Sequence, residues 1–135
     1  MAEGVLAEKT RQSDIDLRID SCGTGGWHVG DPPDNRAQSA AASRNYLISH
    51  LRARQVGHQD FMDFDLIVAL DDENYKALER MNSGKAKLVK MLDYLPKDHK
   101  EFGGNVPDPY YEGNFEHALD LIEAACEGIL SSARG

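Results

Sequence analysis

Asp108-Pro109-Tyr110-Tyr111 is the stretch of this 135-residue chain best equipped for chemistry. Pro107 and Pro109 flank the acid, fix their own φ angles and stiffen the segment. Aromatic neighbours that partly desolvate a carboxyl raise its pKa and suit it to protonating a leaving group. Tyr110 and Tyr111 can form an apolar slot for a planar ring. By spacing alone, a turn carrying surface tyrosines is the simpler reading. Trp27, the one tryptophan, falls in the loop after the first expected strand, at the end of the sheet where α/β proteins bind ligands. It is either a wall of a binding slot or a hydrophobic plug.

The other reactive residues offer less. Ser21-Cys22-Gly23-Thr24-Gly25-Gly26 is rich in glycine, but no helix follows directly and no Gly-Lys-Ser/Thr is present, so a turn is the better reading than a phosphate loop. Cys22 and Cys126 form no Cys-x-x-Cys pair and read as small core residues. The histidines at 28, 50, 58, 99 and 117 show no metal-ligand spacing, so neither a metal nor another cofactor is expected. Met62, Met81 and Met91 read as core fillers.

Bulk properties narrow the partners. The formal net charge of −8 argues against nucleic acid or an anionic membrane, which need clustered Lys and Arg. No apolar run approaches the roughly 20 residues that span a bilayer. Glu3, Glu8 and Lys9 interrupt any secretory leader. Two cysteines fit a reducing compartment, so a cytoplasmic location is expected.

The elements that must position these residues follow from periodicity. Residues 1–10 read as a short helix and residues 17–22 as a strand with Leu17, Ile19 and Ser21 on one face. Asp34 caps a helix over residues 36–51, with Ala37, Ala40, Ala41, Leu47, Ile48 and Leu51 as its buried side. Residues 65–70 form an apolar run suited to a strand covered on both faces. Asp71 or Asp72 caps the next helix, which ends near Met81. Residues 87–92 read as a short strand and 93–113 as a long loop of the kind that often carries function. Asn114 caps the last helix, whose stripe is Phe115, Leu119, Ile122, Cys126, Ile129 and Leu130. This alternation predicts one α/β domain over residues 1–135: a three-layer, Rossmann-like fold with a parallel sheet and helices on both faces.

Several motifs in order then carry a resemblance. They are Ile19-Asp20-Ser21, Gly25-Gly26-Trp27-His28-Val29-Gly30, Pro33-Asp34 with Arg36-Ala37, Ser49-His50 with Ala53-Arg54-Gln55-Val56, Phe61 with Asp65, Asp71, and Asp108-Pro109-Tyr110-Tyr111. Together they resemble the low-molecular-weight protein-tyrosine phosphatases along essentially the whole chain. The resemblance implies that Asp108 is the general acid, protonating the leaving phenolate and later assisting water against a phosphocysteine. It implies that Trp27 and Tyr110 wall the phosphotyrosine slot and that Tyr111 flanks it, this tyrosine pair being itself phosphorylated in some relatives. Ser21, His50 and Asp71 would support the phosphate-binding loop. The substrate class would be a phosphotyrosine protein or an aryl phosphate. Arsenate reductases share the fold but are not expected to keep the Asp-Pro-Tyr-Tyr segment.

One departure qualifies that expectation. The family's nucleophile lies in a Cys-x5-Arg loop after a central first strand, just ahead of a helix that starts like Met1-Ala2-Glu3-Gly4-Val5-Leu6. The residue six after Cys22 is His28, and six after Cys126 is Ser132, so neither cysteine substitutes. Without a thiolate there is no covalent step, and without the loop's N–H groups and arginine nothing holds the phosphoryl charge. Without that strand, one of four in the family, its two neighbours would stand about 10 Å apart. The expectation is therefore a start placed too late within a longer enzyme, with the chain as given inactive. The alternatives are a catalytically dead phosphotyrosine-binding or interaction module, with a strand-donating or homo-oligomeric partner, and an arsenate-reductase-like protein.

Overall fold

The computed structural model describes residues 1–26, 29–82, 84–107 and 114–134. Helix α1 spans Ala2–Ser13 and ends where Asp14 enters the left-handed region at φ 56°. Val5 is fully buried on its inner face. Helix α2, Asn35–Ala42, starts at Asp34, whose side chain accepts the Arg36 N–H at 2.7 Å. That carboxylate satisfies one of the N–H groups a helix start leaves open.

The expected continuation of α2 to residue 51 does not occur. Asn45 sits at φ 68°, and the Tyr46 N–H donates back to the Ala41 carbonyl at 2.9 Å. A left-handed residue with this long backward bond closes a helix end. The apolar spacing of Leu47, Ile48 and Leu51 is thus coincidental to helix. Ile48 is 1% exposed while Leu47 is 75% exposed, a split that one helical face does not produce.

A single helical turn, α3 (Asp60–Asp63), seats Phe61 in the interior. Strand β1, Leu66–Ala69, pairs in parallel with β2, Lys87–Lys90, in the register Leu66↔Lys87 through Ala69↔Lys90. Helix α4, Asp72–Met81, crosses between them. Asp71 is its cap, accepting the Asn74 N–H at 2.7 Å. Strand β2 is shorter than expected: Met91–Tyr94 turns into a 3-10 helix in which Asp93 accepts the Lys90 N–H. Helix α5, Phe115–Arg134, carries the predicted stripe, and all six of its residues are buried. Asn114 accepts the His117 N–H at 3.1 Å at its start.

Side chains alternate about the sheet. Val68 packs against the cluster built by α1, α2, the 3-10 turn and α5, whereas Ile67, Ala69 and Leu88 belong to the cluster of Phe61 and Leu78. This is the period of two expected of a strand, and it places helices on both faces. The molecule is therefore α/β with a parallel sheet, as the alternation predicts.

Residues 17–22 differ from expectation. They form no strand; the adjacent Gly23 makes only an isolated parallel bridge with Gln55. Alternation supplies a face but not a neighbour. Among the described residues β1 pairs with β2 alone, and no strand lies where residues 17–22 need a ladder. Leu17 accordingly remains 37% exposed.

Candidate functional site

The carboxyl ends of β1 and β2, the starts of α1 and α4, and the turn at residues 21–26 converge on one end of the molecule. Ser21 reaches α1: its hydroxyl donates to the Glu3 carboxylate. His50 is exposed and lines a depression of about 510 Å³, across from Glu3 and Gly4 of α1. Gly4 permits that closeness, since a Cβ there would lie 2.3 Å from Cγ2 of Ile48. Ser21 is thus bonded to the first turn of α1 through Glu3, and His50 lines the depression that this turn borders. Asp71 caps α4 through the Asn74 N–H, and the Asn74 side chain reaches Thr24 of the 21–26 turn at 3.5 Å.

Trp27, Asp108, Tyr110 and Tyr111, the acid and the aromatic walls of the predicted slot, lie outside the described residues. The segment leading into Asp108 is described, and it is firmly held. The Val106 N–H donates to the Leu70 carbonyl at 2.8 Å, where β1 ends. Asn105 accepts the Asp72 N–H at 2.9 Å, at the first turn of α4. The ammonium of Lys90, at the end of β2, contacts Asp72 at 2.7 Å and the Gly103 carbonyl at 2.8 Å.

Electrostatics around the site are dominated by pairs. The hydrogen bond from Lys90 holds the Asp72 carboxyl below the ordinary carboxylate range. Arg54 grips Asp60 through two hydrogen bonds of 3.0 and 2.9 Å, which likewise hold that carboxyl low. Arg54 also reaches Asp20 at 3.1 Å, tying the segment before Ser21 to α3.

Neither cysteine is prepared as a nucleophile. Partial desolvation raises the Cys22 thiol, with Arg54 pulling the other way and Asp60 and Asp20 adding to the rise. Burial pushes the Cys126 thiol up to about 12. A nucleophilic cysteine needs the opposite shift, toward thiolate at neutral pH. Among the described residues no group of three or more His, Cys, Asp or Glu could hold a metal ion, and no helix is long and apolar enough to cross a membrane.

Glu3, Lys90 and Asn105 escaped sequence reasoning. Each acts through a partner distant in sequence, and a lone polar residue with no local motif gives no signal of that kind.

Comparison with known proteins supplies the context. A family model described as low molecular weight phosphotyrosine protein phosphatase matches residues 1–134. The chain is 37% identical over 136 residues to the low molecular weight protein-tyrosine-phosphatase YfkJ of Bacillus subtilis, covering 98% of this chain and 85% of that protein. A putative low molecular weight protein-tyrosine-phosphatase of Synechocystis is 40% identical over 139 residues, covering 97% and 85%. Among solved structures, YfkJ superposes with a TM-score of 0.91 at 36% identity, covering 98% of this chain and 84% of that one. A Drosophila arginine phosphatase superposes with a TM-score of 0.90 at 28% identity, covering 99% and 88%.

Proposed function

Since the chain belongs to the low molecular weight phosphotyrosine protein phosphatase family, we propose that it is the acid-loop portion of an enzyme that hydrolyses phosphotyrosine through a phosphocysteine. The observation that carries this reading is the family match over residues 1–134 together with the Asp108-Pro109-Tyr110-Tyr111 segment it contains. In the proposed reaction a cysteine thiolate attacks phosphorus while the bond to the aryl oxygen breaks, and Asp108 gives that oxygen its proton. Water then attacks the phosphocysteine and yields a proton to the Asp108 carboxylate as the thiolate departs. Trp27 and Tyr110 wall the ring and Tyr111 flanks it, so an aromatic phosphoester is favoured over a phosphorylated guanidine. Ser21, His50 and Asp71 support the phosphate loop, the first two through the start of α1.

The nucleophile belongs to a strand and a Cys-x5-Arg loop placed ahead of Met1. Three features support this placement. Both cysteines of the chain are shifted away from the thiolate, residues 17–22 lack a ladder, and β1 is paired on one edge among the described residues. The 135 residues, read as one cytoplasmic domain, are then inactive alone. The same features favour a second reading, a phosphotyrosine-binding module without turnover that recruits its strand from a partner or a second copy.

One comparison decides between them. The 135-residue chain and the protein isolated from its native source are assayed on an aryl phosphate, with the intact mass of the native form measured. A heavier, active native form beside an inert chain is expected. A native form of the same mass that leaves aryl phosphate untouched would remove the enzymatic reading.

A further inference from the structure

Leu47 is 75% exposed, more than any other large apolar side chain among the described residues. The turn at Asn45 leads into this arrangement: Tyr46 and Ile48 are 7% and 1% exposed, and the residue between them faces outward. One exposed leucine is ordinary on a protein surface. This one stands between two hollows. It borders the 510 Å³ depression along α1 and a second of about 290 Å³ along α2, which Gln38 and Ala42 help to line. A projecting apolar side chain beside a hollow able to receive its like meets the requirement of a two-fold contact, in which one patch serves both copies.

The charges of the larger hollow follow the same symmetry. Glu3, Ala7 and Arg11 of α1 line it, and a spacing of four residues sets them in one row along the helix. At 1.5 Å per residue Glu3 and Arg11 lie about 12 Å apart along the axis, with the small, exposed Ala7 midway. A second α1 crossing antiparallel over Ala7 brings each Arg11 opposite the other copy's Glu3. Arg11 is 72% exposed and engages Glu8 of its own helix through two nitrogens, out of the five N–H donors a guanidinium carries. The net charge of −8 opposes the approach of two copies in general. Around these two hollows, apart from His50, the ionisable side chains are Glu3, Glu8 and Arg11, so the repulsion is weakest here.

We propose that this face is a self-association surface: two copies meet through antiparallel α1 helices, Leu47 of each seated in the other's larger hollow and Arg11 of each paired with Glu3 of the other. The patch is smaller than the roughly 20–30 residues a side of a stable complex, which makes the dimer a weak one.

The test is sedimentation velocity of the 135-residue chain from about 10 μM to 1 mM, a range that reads weak association. The mass is expected to rise from one chain to two and stop there. Leu47→Asp should raise the dissociation constant at least about tenfold. Met62→Asp adds the same charge at an exposed apolar residue of α3 and should leave the constant unchanged. Arg11→Glu and Glu3→Arg each set like charges face to face and should weaken the dimer about tenfold. The double variant E3R/R11E restores opposite charges and should recover most of the affinity, which a mere loosening of α1 would not do. Far-UV circular dichroism checks that each variant is folded. A single chain at 1 mM, equal weakening by L47D and M62D, a double variant no tighter than its singles, or growth beyond two copies would overturn the proposal. If a Glu3 variant does not fold, R11E together with the contrast between L47D and M62D still decides it.

Discussion

Gly4→Ala should destabilise the protein even though helix propensity favours it. Gly4 lies in the first turn of α1, and alanine in a helix interior is more favourable than glycine by about 0.5–1 kcal/mol. The added methyl would lie 2.3 Å from Cγ2 of Ile48, more than 1 Å inside an ordinary carbon contact. Ile48 is 1% exposed and has no solvent to retreat into. Overpacking of this sort costs about 1–3 kcal/mol, so the net loss is about 1 kcal/mol. Truncating Ile48→Ala alone costs about 2–5 kcal/mol as a cavity. In that background the remaining neighbours of the new methyl are the Ile48 Cβ and the Leu47 carbonyl, both at 3.8 Å. G4A then turns from destabilising to stabilising, by up to about 1 kcal/mol. The cycle's coupling is about 2 kcal/mol, within the range seen for residues in contact. Urea unfolding of the four proteins by far-UV circular dichroism measures it. A gain in stability from G4A with Ile48 intact, or an equal loss in both backgrounds, would refute the claim that this contact limits the approach of α1.

Three further outcomes follow from the ion pairs and thiols. Arg54 holds the Asp60 carboxyl below its ordinary value of 3.8. The stability this adds is complete above that value and drains as the pH falls through the lower folded one. The gap between wild type and D60N in urea midpoint should therefore narrow from pH 6 to pH 3. Arg44 bridges Glu116, Asp120 and Glu123 of α5, but Glu116 and Asp120 are more than 60% exposed whereas Glu123 is 29% exposed and also accepts from the Tyr46 hydroxyl. Asp120→Asn should then cost under about 0.5 kcal/mol and Glu123→Gln about 1–2 kcal/mol by thermal unfolding. At neutral pH an aromatic disulfide reagent should label exposed Cys22 slowly, and faster at pH 10, while buried Cys126 reacts only on unfolding.

The legible parts of the fold share a physical reason. The stripe of α5, the cap at Asp34 and the apolar run of β1 are local signals, each decided by residues within a few positions. The end of α2 is local too, but two signals conflict there: the spacing of Leu47, Ile48 and Leu51 argues for helix, and Asn45 in the left-handed region stops it. Residues 17–22 were misjudged because a strand is a relation between two segments, and alternation reports only one. At the site, the motifs single out Ser21 and His50; Ser21 bonds Glu3, and His50 lines the same depression as Glu3. Glu3 and Lys90 make their contacts across 18 residues, to Ser21 and Asp72, and no residue beside them in the sequence announces those partners.

Among the described residues β1 is paired on one edge only, and this bears on how the protein behaves in concentrated solution. Leu66, Ile67 and Val68 are apolar and only half-buried, and an open strand edge of that kind is a template for another chain. Charge of one sign keeps molecules apart over about 8–10 Å at physiological salt, and the net charge of −8 supplies such repulsion. High salt removes it without covering the edge. Shelf life and crystallisability will then be governed by whether that edge finds an occupant, with charge deciding only how fast.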